Sequence, residues 1–149
     1  MKIVVSPNPY RDKQFKNARQ ACSILRGAGA EVALCLPFDV DKTFEIPHDL
    51  RFQDIQKEIK TADMLICFGG DGTILHSSKI ATEHNLPILG VNIGTMGFIA
   101  ELEAGEIELL RKIPKGDYTV EERTMLDVSV GNGRQTLFHE TALNDAVIT

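Results

Sequence analysis

Cysteine is scarce in this chain. Cys22, Cys35 and Cys67 are odd in number, far apart and set in apolar segments. They match neither a disulfide framework nor a zinc-ligand spacing, and they read as small core residues. Long apolar runs are also missing. None approaches the ~20 residues that a membrane-spanning helix needs. The N-terminal Met1-Lys2-Ile3-Val4-Val5 turns polar at Ser6-Pro7, too soon for a signal peptide. The expectation is a cytoplasmic protein. Positive charge is in deficit, with 16 Lys and Arg against 21 Asp and Glu and a formal net charge of -5. That balance argues against a general binder of nucleic acid or of an anionic membrane, while leaving room for a local basic site. His139-Glu140 has no partner at ligand spacing, and no internal repeat or low-complexity tract is present. What remains is an ordinary globular composition, 43% hydrophobic and 25% charged. At 149 residues the chain suffices for one domain and a fraction of another.

The most informative stretch is Met64-Leu65-Ile66-Cys67-Phe68-Gly69-Gly70-Asp71-Gly72-Thr73. Five apolar residues without a polar break predict a strand buried on both faces. A helix is expected from Ile74 to about His84. The glycines therefore sit where a buried strand hands over to a helix, the place where open α/β sheets bind ligands. Three glycines in four positions strip the turn of Cβ atoms and let a ligand touch backbone N–H groups. Asp71 repels phosphate. It is suited to accept a proton from an attacking hydroxyl, to hold a substrate hydroxyl, or to hold a metal ion between itself and phosphates. The plainer alternative is that Asp71 or Thr73 caps the next helix.

Along the rest of the chain, Lys2–Val5 reads as a first buried strand ended by Ser6-Pro7-Asn8-Pro9, a second loop at a strand exit. Phe15, Ala18, Cys22 and Leu25 mark one helix face, stopped at Gly27-Ala28-Gly29. Residues 31–36 form a second strand, and the acidic stretch 37–47 a surface loop or lid. Phe52, Ile55 and Ile59 mark a helix with a candidate cap at Asp49. His76 and Lys79 place basic groups near the start of the helix after the glycine turn, which a bound phosphate or dinucleotide would explain. Residues 87–91 form another strand. It runs into Asn92-Ile93-Gly94-Thr95-Met96-Gly97-Phe98-Ile99, a second Gly-rich exit that lacks the Lys-Ser or Lys-Thr of a P-loop. Phe98 suits either a flat base or the core. Ile107, Leu110 and Ile113 mark a short helix over 104–113, and Pro114-Lys115-Gly116-Asp117 a boundary. Leu126, Val128 and Val130 then alternate with polar residues, and Asn132-Gly133 predicts a two-residue hairpin turn. The expected organisation is an α/β domain over 1–113, Rossmann-like, with a mostly parallel sheet and helices on both faces. The beginning of a truncated, β-rich domain over 114–149 follows; the alternative is a small α/β domain with a hairpin appendage.

Four stretches together resemble the NAD kinase family: Gly69–Thr73, Asn92–Phe98, Glu122-Arg123-Thr124-Met125-Leu126, and Ala142-Leu143-Asn144-Asp145-Ala146-Val147-Ile148. The first is shared with diacylglycerol, sphingosine and, more loosely, phosphofructokinases; the second and fourth point to NAD kinases in particular. The resemblance implies transfer of the γ-phosphoryl of ATP, or of a phosphoryl from polyphosphate, to the 2′-hydroxyl of the adenosine ribose of NAD. It implies Asp71 as the general base, and Gly69, Gly70, Gly72 and Thr73 as the polyphosphate-facing turn with Mg²⁺ or another divalent cation, whose ligands it does not name. It implies NAD contacts at Asp71, Gly72, His76, Phe98, Asn144 and Asp145. It further implies a homo-oligomer whose sites need a second domain beyond residue 149, so that this chain alone is expected to be inactive. The readings that compete are a diacylglycerol- or sphingosine-type lipid kinase domain and a non-catalytic nucleotide-binding module.

Overall fold

The computed structural model describes residues 1–95 and 97–143. The chain divides into two compact units, Met1–Tyr118 and Thr119–Thr149.

The first unit is built on five parallel strands: β1 (Lys2–Pro7), β2 (Glu31–Leu34), β3 (Met64–Gly69), β4 (Ile88–Asn92) and β5 (Leu102–Glu103). Their order across the sheet is β2-β1-β3-β4-β5. The chain winds outward from β1 to β2, then returns to the other side of β1 and continues through β3. The winding therefore reverses between β1 and β3, and there the connections that leave two adjacent strands run in opposite directions. All six residues of β3 are buried, as its unbroken apolar run predicts.

Alternate residues face opposite sides of the sheet. Ile3, Val5, Ile66 and Phe68 pack with Ala18, Cys22 and Leu25 of α1 (Lys16–Gly27) and with Ile107, Leu110 and Ile113. Val4, Ala33 and Leu65 pack on the other side with Ile59 and with Ala81 of the helix that follows β3. Helical layers thus cover both faces of a parallel sheet, the α/β class read from the sequence.

Several boundaries differ from the sequence reading, each for a physical reason. Pro7 does not end β1. Ser6 and Pro7 stay paired with Cys67 and Phe68, whereas pairing with β2 stops at Val5–Leu34. The Cys35 N–H donates to the Val5 carbonyl at 3.0 Å, and the next donor toward β2 would be Pro7, which has no N–H. Proline ends one ladder and leaves the other intact. The helix predicted over 52–59 shrinks to α2 (Ile55–Glu58) and a 3₁₀ turn (Ile59–Thr61). Its cap is Asp54, which accepts from the Gln56 N–H at 3.0 Å. Asp49 instead pairs with Arg19, with Nη2 to Oδ1 at 2.8 Å. The helix expected over 104–113 is a 3₁₀ helix that runs on to Lys115. Its buried residues, Ile107, Leu110 and Ile113, fall every third position, so in three-residue turns they line up on one side, while Leu109 is exposed.

The second unit is an antiparallel hairpin of β6 (Leu126–Gly131) and β7 (Thr136–Ala142). Its loop is longer than the predicted two residues, because Gly131 pairs with Thr136. The Asn132 side chain accepts from the N–H groups of Arg134 and Gln135 at 3.0 and 3.1 Å, which closes the wider turn.

Candidate active site at the carboxyl edge of the sheet

Three loops leave the carboxyl edge from adjacent strands. The loop after β1 is organised by Asn8. Its N–H donates to the Phe68 carbonyl at 2.8 Å, and its own carbonyl accepts from Arg11 and Asp12 at 3.1 and 2.9 Å. Its side-chain oxygen accepts from the Tyr10 N–H at 3.0 Å, and its side-chain nitrogen donates to Thr73 Oγ1 at 2.8 Å. Asn8 thereby ties the β1 exit to the turn after β3. Next to it, the buried Asp12 carboxylate accepts from the N–H groups of Asn17 and Ala18 at 3.0 and 2.9 Å and so caps α1 from several residues upstream.

The second loop is the Gly69–Thr73 turn. Helix α3 runs Asp71–Glu83, three residues earlier than predicted, with Gly70 in the cap position and no side-chain cap. His76 consequently falls in the second turn, and the argument from a basic group in the first turn lapses. Thr73 Oγ1 is taken up by Asn8, and its side chain stands where a Cβ on Gly69 would be. Only glycine allows strand and helix to approach so closely here. The Thr73 and Ile74 N–H groups both donate to the Gly70 carbonyl, at 2.9 and 3.2 Å, so the amides that precede the first intrahelical bond of α3 are those of Asp71 and Gly72.

Asp71 does not cap its helix either. Its Oδ2 accepts from the Phe98 N–H at 3.1 Å and its Oδ1 from the Ile99 N–H at 3.3 Å. A Cβ on Gly97 would collide with Oδ1. The third loop, after β4, is thus folded onto the carboxylate of the second. The Ile93 N–H donates to the Gly69 carbonyl at 3.1 Å and closes the same junction. Asn92 anchors the far side by donating to the Glu103 carboxylate at 3.0 Å and to the Thr95 carbonyl at 3.0 Å. With four acceptor positions on its two oxygens, Asp71 keeps capacity for a ligand hydroxyl.

Of the residues singled out from sequence, Gly69–Thr73 and Asp71 stand at this edge. Phe98 follows on the adjoining loop and is 99% exposed, so it is not a core residue. His76 Nε2 lies 3.1 Å from the Pro37 carbonyl, and its ring meets Phe38 edge-on at 5.7 Å. The loop over 37–47 is held there in turn by Tyr10, which stacks on Phe38 and donates its hydroxyl to Asp41 at 2.9 Å. Asn144 and Asp145 lie outside the described residues. Cys67 lies beneath the turn, where burial pushes its thiol up to about 12, so it stays protonated and takes no part as a nucleophile. A cavity of about 340 Å³ opens away from Asp71, between Gln14, Phe15, Phe44 and Pro47. Lys13 and Glu45 also line it, but among the described residues neither the glycine turn after β3 nor the loop after β4 does, so the site is placed at the strand exits instead. Asn8 was not among the sequence candidates. Its loop was visible as a strand exit, but its bond to Thr73 spans 65 residues and has no local signature.

A family model described as the ATP-NAD kinase N-terminal domain matches residues 3–118. The chain belongs to the NAD kinase family. A NAD kinase of Natranaerobius thermophilus is 44% identical over 96 residues, which are 64% of this chain and 33% of that protein. One of Caldanaerobacter subterraneus subsp. tengcongensis is 35% identical over 149 residues, covering 99% of this chain and 51% of the relative. The crystal structure of yeast NADH kinase complexed with NADH superposes with a TM-score of 0.70 at 19% identity, over 97% of this chain and 47% of that one. It supports the fold. The chain spans between a third and about half the length of these relatives. Membership of this family sets aside the diacylglycerol-kinase alternative, which shares the glycine turn and a similar α/β domain. Among the described residues no helix is long and apolar enough to cross a membrane.

Proposed function

We propose that the protein of which this chain forms a part is a NAD kinase, which phosphorylates the 2′-hydroxyl of the adenosine ribose of NAD at the expense of ATP or polyphosphate. The observation that carries the reading is the placement of Asp71. Among the described residues it is a carboxylate of one glycine-rich strand exit bound by the amides of the other, in a chain of this family.

Phosphoryl transfer needs positioning and charge neutralisation more than covalent assistance. In the reading proposed here, the bare backbone of Gly69–Gly72 and the start of α3 receive the donor's phosphates. Asp71 accepts the proton of the 2′-hydroxyl as that oxygen forms its bond to the terminal phosphorus. The bond from phosphorus to the leaving oxygen breaks, and its electron pair departs with ADP or the shortened polyphosphate. Phe98 and Ile99 hold the carboxylate in line through their amides, which fixes its direction before substrate arrives. The exposed ring of Phe98 and the ring of His76 are assigned to NAD, as are Asn144 and Asp145.

A magnesium ion fits this donor set only as a passenger of the phosphates. Among the described residues no group of three or more His, Cys, Asp or Glu gathers to hold a metal, and Mg²⁺ commonly takes one or two carboxylates plus substrate phosphates. Asp71 is the carboxylate available; the ion would offset repulsion between it and the phosphates. We assign residues 1–113 to the nucleotide-binding and catalytic domain and 114–149 to the beginning of a β-rich, NAD-binding one. Homo-oligomeric assembly and a cytoplasmic location accompany the same proposal.

The test is NADP formation from NAD, ATP and Mg²⁺ by the full-length protein and its Asp71→Asn variant. A positioned base contributes about 10²–10⁴-fold, so turnover falls by that much while the melting transition stays in place. Near-normal turnover in the variant removes the base assignment. No NADP from the wild type removes the function.

A further inference from the structure

Arg11 lies in the loop after β1, where its N–H donates to the Asn8 carbonyl at 3.1 Å and its own carbonyl accepts from Lys13 at 3.2 Å. Its guanidinium extends much further. Nη1 stands 3.8 Å from the position of a Cβ on Gly94, and Gly94 belongs to the loop after β4. In the sheet, β3 lies between β1 and β4. Neighbouring strands are about 4.8 Å apart, so a side chain that starts at the β1 exit and reaches the β4 exit crosses roughly 10 Å. The strand exit between those two is that of β3, which leads into the Gly69–Gly72 turn. The bond from the Ile93 N–H to the Gly69 carbonyl holds Gly94 against that turn. Among the described residues, Arg11 takes part in none of the ion pairs.

A cation that bridges the exits on either side of a glycine turn, and pairs with no carboxylate among the described residues, is placed for an anion; the turn's own carboxylate, Asp71, accepts from the Phe98 and Ile99 amides. We infer that Arg11 binds the polyphosphate chain of the phosphoryl donor, the chemistry common to a nucleoside triphosphate and to inorganic polyphosphate. The planar guanidinium offers paired N–H donors that match two phosphate oxygens, which lysine cannot do. It also supplies the positive charge that a donor needs where a carboxylate such as Asp71 is near. Arg11 thereby sets affinity for the donor and leaves affinity for NAD alone. The inference rests on the kinase reading for its substrate and on geometry alone for its anion.

The test uses the full-length protein with Arg11→Ala and Arg11→Lys, and Arg51→Ala as an exposed control. Binding of inorganic tripolyphosphate is measured by calorimetry, and KM is measured separately for ATP, polyphosphate and NAD. Loss of a bidentate, charge-assisted contact weakens tripolyphosphate binding and raises the donor KM on the order of tenfold in Arg11→Ala. The NAD KM stays within about twofold, and Arg11→Lys falls between, since a point charge replaces the fork. A KM effect confined to ATP or to polyphosphate identifies the natural source of the chain. Unchanged tripolyphosphate affinity in a folded variant, or an equal rise in the NAD KM, overturns the inference. Should Arg11→Ala fail to fold, an Arg11→Lys protein with wild-type affinity overturns it as well. Arg11-dependent binding of tripolyphosphate without NADP formation sinks the kinase reading and leaves the anion site standing.

Discussion

Two glycine-bearing turns close strands in this molecule, Gly69–Thr73 after β3 and Asn132–Gln135 between β6 and β7. They use glycine for opposite reasons. At Gly69 a side chain has no room, because Thr73 already fills the space. At Gly133 there is open space around the missing Cβ, but φ is +81°. The first turn is fixed by bonds from far away in sequence, Asn8 to Thr73 and the Phe98 and Ile99 amides to Asp71. The second is fixed by its own Asn132. A turn that only reverses the chain can be built locally. A turn that must present backbone to a ligand has to be held from outside, since its own residues are kept bare.

Substituting the two glycines separates these cases. Gly69→Ala forces the Thr73 side chain out of place, and overpacking of this kind costs about 1–3 kcal/mol. A matching Gly70→Ala, with nothing near its Cβ, changes stability by less than about 0.5 kcal/mol. Denaturant titration of both variants checks the contrast; equal losses would mean that the turn is tight throughout rather than at one point. Gly133→Ala costs less than Gly69→Ala and more than Gly70→Ala, about 1 kcal/mol, and the loss arises from the left-handed backbone alone. It weakens the hairpin and leaves the amide spectrum of the sheet unit unchanged. A change reaching the Gly69–Thr73 amides would contradict the local character of the hairpin turn.

The same division explains what could be read from the sequence. The buried strand β3, its glycine turn and the strand β6 are written in consecutive residues and stand where expected, although the alternating Leu126 and Val130 of β6 are exposed rather than half-buried. The period of three in Ile107, Leu110 and Ile113 is visible too and marks a helix, which the structure makes a 3₁₀ helix. Asp49 could not be told from Asp54 as a cap, because the deciding fact is the distant Arg19 that claims Asp49. Pro7 looked like a strand end because its missing N–H was charged to both ladders, whereas only the β2 side loses a donor. At the site, Asp71 was legible from its odd position among glycines. Asn8, Arg11 and the amides of Phe98 and Ile99 were not, since their partners lie on other strand exits. Strand order brings them together, and strand order is not a local property.

The central claim is that the exits of β1, β3 and β4 form a single site around Asp71. The most direct measurement is a crystal structure of the full-length protein with NAD and a non-hydrolysable ATP analogue. The account predicts phosphates lying over Gly69–Gly72 beneath Arg11, with an Asp71 oxygen within hydrogen-bond distance of the ribose 2′-hydroxyl. Ligand in the Gln14–Pro47 cavity, with Asp71 touching only the Phe98 and Ile99 amides, would contradict it.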